Sequence, residues 1–186
     1  VLREQLPREA AAKRIGGQQF KLLGGFRSFI PSAHIPGLFK AMRTGDPYRI
    51  RALLVFGGNP LVTVANARKV HKSLLNLDLL VVTDMFMTPT AALADYVLPA
   101  AFWPEVNQTI ELPFVAENAV LGQQKVVQVG QCRQDEEILI EPARRLNLPG
   151  SDDTLEDILN YRLEPIGLTF EELTEKSVVF PPHEYR

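Results

Sequence analysis

The sequence predicts an α/β fold built on a mostly parallel sheet. Two short apolar runs, Ala52-Leu-Leu-Val-Phe56 and Leu79-Leu-Val-Val-Thr83, are each bounded by Gly, Asn, Asp or Pro. A stretch with helical spacing separates them, and a third strand-like run, Tyr96-Val-Leu-Pro99, follows soon after. Continuous apolar strands joined by helical crossovers are the pattern of a parallel sheet covered on its faces. Loops at the carboxyl ends of such strands are the usual place for a nucleotide to bind.

The elements follow in chain order. Residues 1–34 mix charge with Gly16-Gly17 and Gly24-Gly25 and predict a short helix and an irregular lead-in. Residues 35–42 predict a brief helix, closed by Thr44-Gly45-Asp46-Pro47, where Gly serves as C-cap and Pro forbids continuation. After the first strand and Gly57-Gly58-Asn59-Pro60, a helix is expected from about Thr63 to Leu77. Thr63 is its expected cap, and Ala67, Val70, Leu74 and Leu77 share the face that packs on the sheet. The second strand runs into Asp84-Met-Phe-Met-Thr88. Thr88 and Pro89 match an N-cap and first-turn proline, and Ala91, Ala92 and Ala94 keep the expected helix slim up to Asp95.

Beyond Phe102 the helical period lapses, and Gln124-Lys-Val-Val-Gln-Val129 alternates as a strand does. Residues 134–146 predict a helix with Ile138, Leu139 and Leu146 as core contacts. Pro142 inside it removes a backbone donor at a cost of about 3 kcal/mol. After Pro149-Gly150, Asp153-x-x-Glu156 and Thr169-x-x-Glu172 each read as a capping box opening a short helix. The expected organisation is therefore a lead-in over 1–34, an α/β domain over 35–150 and a short helical extension over 151–186, either peripheral or built to dock on a neighbouring segment.

With 186 residues and 46% hydrophobic content, the chain can bury a substantial core. A net charge of -2, from 20 basic and 22 acidic residues, gives no electrostatic reason to expect nucleic acid as a partner. A single cysteine, Cys132, excludes an internal disulfide, and His34, His71 and His183 lack ligand spacing for a metal. The histidines read as solvated or capping groups. No apolar run approaches the length of a membrane helix, so no membrane insertion is expected. The first residues, Val1-Leu-Arg-Glu-Gln-Leu-Pro, have neither a starting Met nor a signal-peptide layout, so the chain reads as a piece of a longer protein.

Candidate chemistry gathers at the strand ends. Gly57 and Gly58 let a ligand approach main-chain N–H groups, and Asn59 offers an amide that both donates and accepts. Their bland counterpart is a simple Gly-Asn-Pro turn. Asp84 stands where a carboxylate could accept paired hydrogen bonds from a guanine edge or a ribose diol, or could merely cap the next turn. Trp103-Pro104-Glu105 and Asn107 could line a crevice at the strand ends; the bland reading is a packed indole and a solvated carboxylate. Arg133 beside Cys132 favours a thiolate, but no histidine accompanies it, so a structural or surface thiol is the expectation.

Taken together, residues 53–61, Val81-Val-Thr-Asp-Met-Phe-Met-Thr-Pro-Thr-Ala91, Ala94-Asp-Tyr-Val-Leu-Pro99 and Trp103-Pro-Glu105 resemble the molybdopterin oxidoreductase family. That family includes dimethyl sulfoxide reductase, formate dehydrogenase and nitrate reductase. The resemblance runs over residues 35–148, through Gln131-Cys-Arg-Gln-Asp135 to Ala143-Arg-Arg-Leu146. It implies a Rossmann-like, three-layer third domain that holds the guanosine end of a molybdopterin guanine dinucleotide. On that resemblance Asp84 recognises guanine, with Thr83 and the Gly57-Gly58-Asn59 loop beside it, Thr88 capping the adjacent turn and Asp135 also contacting the dinucleotide. Asp95 shapes the strand end. The chain departs from relatives after Glu105, where Val106-Asn-Gln-Thr-Ile-Glu-Leu-Pro113 replaces their Asn-x-x-Gly-Arg stretch.

The family's iron–sulfur cysteines, its metal-ligating Cys, selenocysteine or Ser, and its carboxy-terminal barrel have no counterpart in these residues. The expectation is a fragment of a molybdenum or tungsten oxidoreductase, inactive alone, with no catalytic residue of its own. Its expected partners are the parent's other domains and an iron–sulfur electron-transfer subunit. The parent's compartment is expected to be cytoplasmic, with periplasmic as the other family setting. Two other readings stand beside this one: a structural domain that has lost the cofactor, as in the large subunit of NADH dehydrogenase, and a free-standing enzyme using Cys132 or Glu105.

Overall fold

A computed structural model describes residues 8–21, 32–112, 118–148 and 151–182. Contacts divide the chain into two compact units, Val1–Val97 and Leu98–Arg186. These bounds differ from the expected 1–34, 35–150 and 151–186. His183, Gly24-Gly25 and the Pro149-Gly150 turn lie outside the described residues.

The first unit begins with α1 (Arg8–Ala12) and α2 (Ile35–Thr44). His34 caps α2: its Nδ1 accepts from Gly37 N at 3.2 Å, and its ring stacks on Phe20. Gly45, at φ 75, ends the helix with its N–H on Ala41 O, as the Thr44-Gly45-Asp46-Pro47 signal requires. Strand β1 (Ala52–Phe56) then pairs in parallel with β2 (Leu79–Asp84), in a register from Ala52↔Leu79 to Phe56↔Thr83. Strand β3 (Tyr96–Pro99) completes a three-stranded sheet of order β1-β2-β3. Phe39 and Met42 of α2, Val70 and Leu74, and Leu80 and Val82 of β2 form the core, with Ala91 at its edge. Two polar ties fix the helices over it: Ser73 Oγ on Phe39 O at 2.7 Å, and Asn76 Nδ2 donating to Met42 O at 2.6 Å.

The crossover differs from its expected form. A one-turn helix, α3 (Pro60–Thr63), precedes α4 (Ala67–Leu74), where one helix from Thr63 to Leu77 was expected. The Thr63 hydroxyl bonds back to Asn59 O at 3.0 Å within α3. Asn66, at φ 66, caps α4 instead, its side chain accepting from Lys69 N. Val70 and Leu74 are buried as the spacing predicts, while Ala67 stays exposed. The helix expected before Asp95 is a single 3₁₀ turn, Ala91–Leu93.

The second unit carries an antiparallel sheet that periodicity did not reveal: β4 (Gln108–Glu111), β5 (Val120–Gln123) and β6 (Val178–Val179), in the order β4-β5-β6. Helices α5 (Asp135–Arg145), α6 (Leu155–Leu163) and α7 (Phe170–Lys176) follow. Val120 packs with Leu159, Leu163, Phe170 and Leu173, so the helices expected to be peripheral share a core with β5. A Cβ on Gly122 would stand 3.0 Å from Leu173 Cγ, which is why α7 can lie so close to this strand. The box of α7 is Thr169 and Glu172 as expected, whereas that of α6 is Thr154 and Asp157, one residue beyond the expected pair.

Two expectations in this unit fail for physical reasons. Gln124 to Val129 forms no strand, because its amides find other acceptors: Lys125 N on Asn107 Oδ1, Val126 N on Pro104 O and Val129 N on Glu105 Oε1. In α5 no described residue is buried, so Leu139 and Leu146 are exposed and not core contacts.

Candidate functional site

At the carboxyl ends of β1 and β2 two loops are stitched together. Gly57 N donates to Thr83 O at 2.9 Å, extending the strand pairing by one bond. Gly57 sits at φ 56 with open space where a Cβ would go, so backbone conformation and not crowding selects glycine there. Next to it, Asn59 Oδ1 accepts from Thr90 Oγ1 at 2.7 Å, and the same hydroxyl accepts from Leu61 N at 3.1 Å. Thr90 is wholly buried. This fixes the orientation of the Asn59 amide, and no described residue accepts from its Nδ2. Sequence reasoning missed Thr90, since nothing local links it to a residue 31 positions away.

Asp84 is half-buried, and among the described residues each carboxylate oxygen has one donor. Phe86 N donates to Oδ1 at 3.1 Å, and Thr88 Oγ1 donates to Oδ2 at 3.4 Å. A carboxylate has about four lone-pair sites, so each oxygen keeps capacity for another donor. Thr88 Oγ1 also accepts from Ala91 N at 3.2 Å, which makes it the cap of the short turn. Asp95 pins the next strand by accepting from Leu80 N through Oδ2 at 2.7 Å, and its own N–H donates to Leu80 O. Thr83 differs from its neighbours. Its hydroxyl is buried and unbonded among the described residues, so it joins the loops through its carbonyl and not its side chain.

Gly57, Gly58, Asn59, Thr83, Asp84 and Thr88 thus lie within the first unit, on two adjoining strand ends. Asp135 belongs to the second unit, where it opens α5. Partial burial, and after it the Glu136 charge, raise its pKa above the ordinary carboxylate value.

The loop after β3 reverses its bland reading. Trp103 is exposed and Glu105 is buried. Glu105 Oε2 accepts from Phe102 N at 2.9 Å and Oε1 from Val129 N at 2.6 Å. These bonds, Phe102 first, hold its pKa below the usual carboxylate range, with Lys125 adding to the effect. A carboxylate so engaged is a structural clamp. No described residue supplies Cys132 with a hydrogen-bonded base, and the described residues contain no group of three or more His, Cys, Asp or Glu able to hold a metal. No helix among them is long and apolar enough to cross a membrane.

A parallel strand pair whose carboxyl ends carry a glycine turn, an oriented amide and a half-buried carboxylate marks the chain as an α/β protein with its polar side chains gathered at the strand ends. The chain belongs to the molybdopterin oxidoreductase family, whose model matches residues 32–143. It is 36% identical over 171 residues to the acetylene hydratase of Syntrophotalea acetylenica, covering 88% of this chain and 22% of that protein. It is 32% identical over 138 residues to a formate dehydrogenase subunit alpha of Methanocaldococcus jannaschii, covering 71% of this chain and 20% of the relative. The solved acetylene hydratase from Pelobacter acetylenicus matches with a TM-score of 0.80 at 28% identity, over 95% of this chain and 27% of that one. The chain therefore spans between a fifth and about a quarter of the length of these relatives.

Proposed function

We propose that the first unit grips the guanosine end of a molybdopterin guanine dinucleotide within a molybdenum or tungsten enzyme. In this reading the domain is Rossmann-like and three-layered, and it is not catalytic alone. The observation that carries it is Asp84: a carboxylate fixed by Phe86 N and Thr88 Oγ1 at a parallel strand end, with acceptor capacity left on both oxygens. A guanine edge presents adjacent N–H donors, which suit an acceptor-only group of this width. The acceptor pair on Asp84 therefore suits the donors of a guanine edge. Asn59 Nδ2 and the main-chain N–H of Gly58 lie on the adjoining loop, where donors suit ribose or phosphate oxygens, while the Gly57 N–H is engaged by Thr83 O. When bound, the metal-bearing cofactor supplies the redox or hydration chemistry; this chain's residues bind and orient its distal end.

Asp135 is assigned to the same dinucleotide on family resemblance, and the parent's other domains and an electron-transfer subunit are the proposed partners. A cytoplasmic parent is proposed. The substrate is left to the parts of the parent that carry the metal.

One observation favours a second reading, a structural domain without cofactor: Asp84 already serves its own turn through Phe86 N and Thr88 Oγ1. Isothermal titration with GMP and GDP, with AMP as control and Asp84→Asn as variant, separates the two. Binding that prefers guanine and falls in the variant supports the nucleotide grip. Absence of binding to either nucleotide, or GMP binding that is neither guanine-selective nor changed in the variant, counts against the grip and supports the structural reading.

A further inference from the structure

The loop that fixes Asp84 also turns three consecutive large apolar side chains outward. Met85 is 50% exposed, Phe86 72% and Met87 71%. Turns are normally polar, and a run of three exposed apolar residues departs from binary patterning unless it has a task. Nor is the loop loosely held. Phe86 N bonds the Asp84 carboxylate, Thr88 N donates to Phe86 O at 2.8 Å, and Thr88 Oγ1 bonds Asp84 Oδ2. Burying these side chains by rotating the backbone would break the bonds that hold the carboxylate. Exposure and carboxylate geometry are therefore set by the same turn.

We propose that Phe86 is the stacking platform for the planar base whose edge Asp84 holds, with Met85 and Met87 flanking it. This inference rests on the nucleotide reading above and adds the residue that recognises the face of the base. A carboxylate selects a heterocycle edge with adjacent N–H donors, yet such a base has two apolar faces that gain from leaving water. Aromatic stacking meets that need, and methionine thioethers adapt to the edge of a ring. The Phe86 amide bonds the same carboxylate, so the ring springs from a point fixed relative to the edge-binding group. Edge and face would be read by one five-residue turn, Asp84 to Thr88.

The test is GMP titration of the full chain and of Phe86→Ala, Phe86→Leu and Phe86→Trp, followed by NMR of the guanine H8 proton. Because Phe86 is exposed, all three variants keep the core, which a melting curve checks. Stacking predicts about tenfold weaker binding or more in the Ala and Leu variants and near-native binding in Trp. It also predicts an upfield H8 shift in wild type and Trp that is lost in Leu, with the preference for GMP over AMP still controlled by Asp84. Native affinity in Phe86→Leu, or no ring-current shift, overturns the stacking role while leaving the Asp84 reading intact. That result would assign the apolar run to packing against another protein segment. Absence of GMP binding by the wild-type chain overturns both.

Discussion

Thr90 holds Asn59 in place: its buried hydroxyl donates to Asn59 Oδ1 at 2.7 Å and accepts from Leu61 N at 3.1 Å. One hydroxyl thus joins the loop after β2 to the loop after β1 and decides which way the Asn59 amide points. The amide is oriented as a result, with Nδ2 turned away from the hydroxyl that fixes Oδ1 and bonded to no described residue.

Thr90→Val preserves shape but leaves Asn59 Oδ1 and Leu61 N without their partner. Unfolding in urea should show a loss of about 1–3 kcal/mol, the usual cost of stranding buried polar groups. Thr90→Ser, which keeps the hydroxyl, should recover most of it. If Asn59 contributes to nucleotide binding, GMP affinity should fall in Val and return in Ser.

Thr83→Val should act in the opposite direction. The Thr83 hydroxyl is buried without a described partner, so replacing it with a methyl removes a desolvated polar atom at constant volume. A gain of about 1 kcal/mol is expected by urea denaturation, with the m-value unchanged. A loss would reveal a bond to that hydroxyl.

Gly57→Ala isolates backbone strain, since a Cβ there meets nothing within 4 Å while φ is 56. The left-handed region costs a non-glycine residue about 1–2 kcal/mol. Thermal melts should therefore show a clear loss for Ala and a smaller one for Gly57→Asn, whose side chain tolerates this conformation. Equal losses would point to the side chain and not the backbone.

The reach of the sequence follows from how local each feature is. Strands β1 and β2 were legible because each is a contiguous apolar run ended by turn residues, and the Gly57 and Asp84 positions followed from the strand ends. Gly45 and the Thr169 box were legible for the same reason: each signal lies within a few residues. Thr90 with Asn59 was not, because the bond spans 31 residues. The stretch Gln124 to Val129 carries a strand's alternation, yet side chains of Asn107 and Glu105 occupy the amides that a neighbouring strand would have taken. Leu139 and Leu146 follow a helical period that says nothing of whether a partner covers them.

The Glu105 clamp makes stability depend on pH in a predictable direction. Its ordinary pKa is 4.5, and the Phe102 and Val129 amides lower it in the folded chain. A carboxylate whose folded pKa is depressed contributes its stability above the unfolded value and loses it as pH falls through the folded one. The chain should therefore lose melting temperature progressively below about pH 4.5, and Glu105→Gln should flatten that decline while lowering the melting temperature at neutral pH. Asp78, held down first by its bond to Arg51, adds to the decline in the variant, so the slope should shrink and not vanish. Asp135 works against both: its pKa is raised by partial burial and Glu136, so the folded state binds its proton more tightly and gains as pH falls. Asp135→Asn should accordingly steepen the acid decline. Melting curves between pH 3 and 7 for the two variants, which should change the slope in opposite senses, check the assignment of both carboxylates.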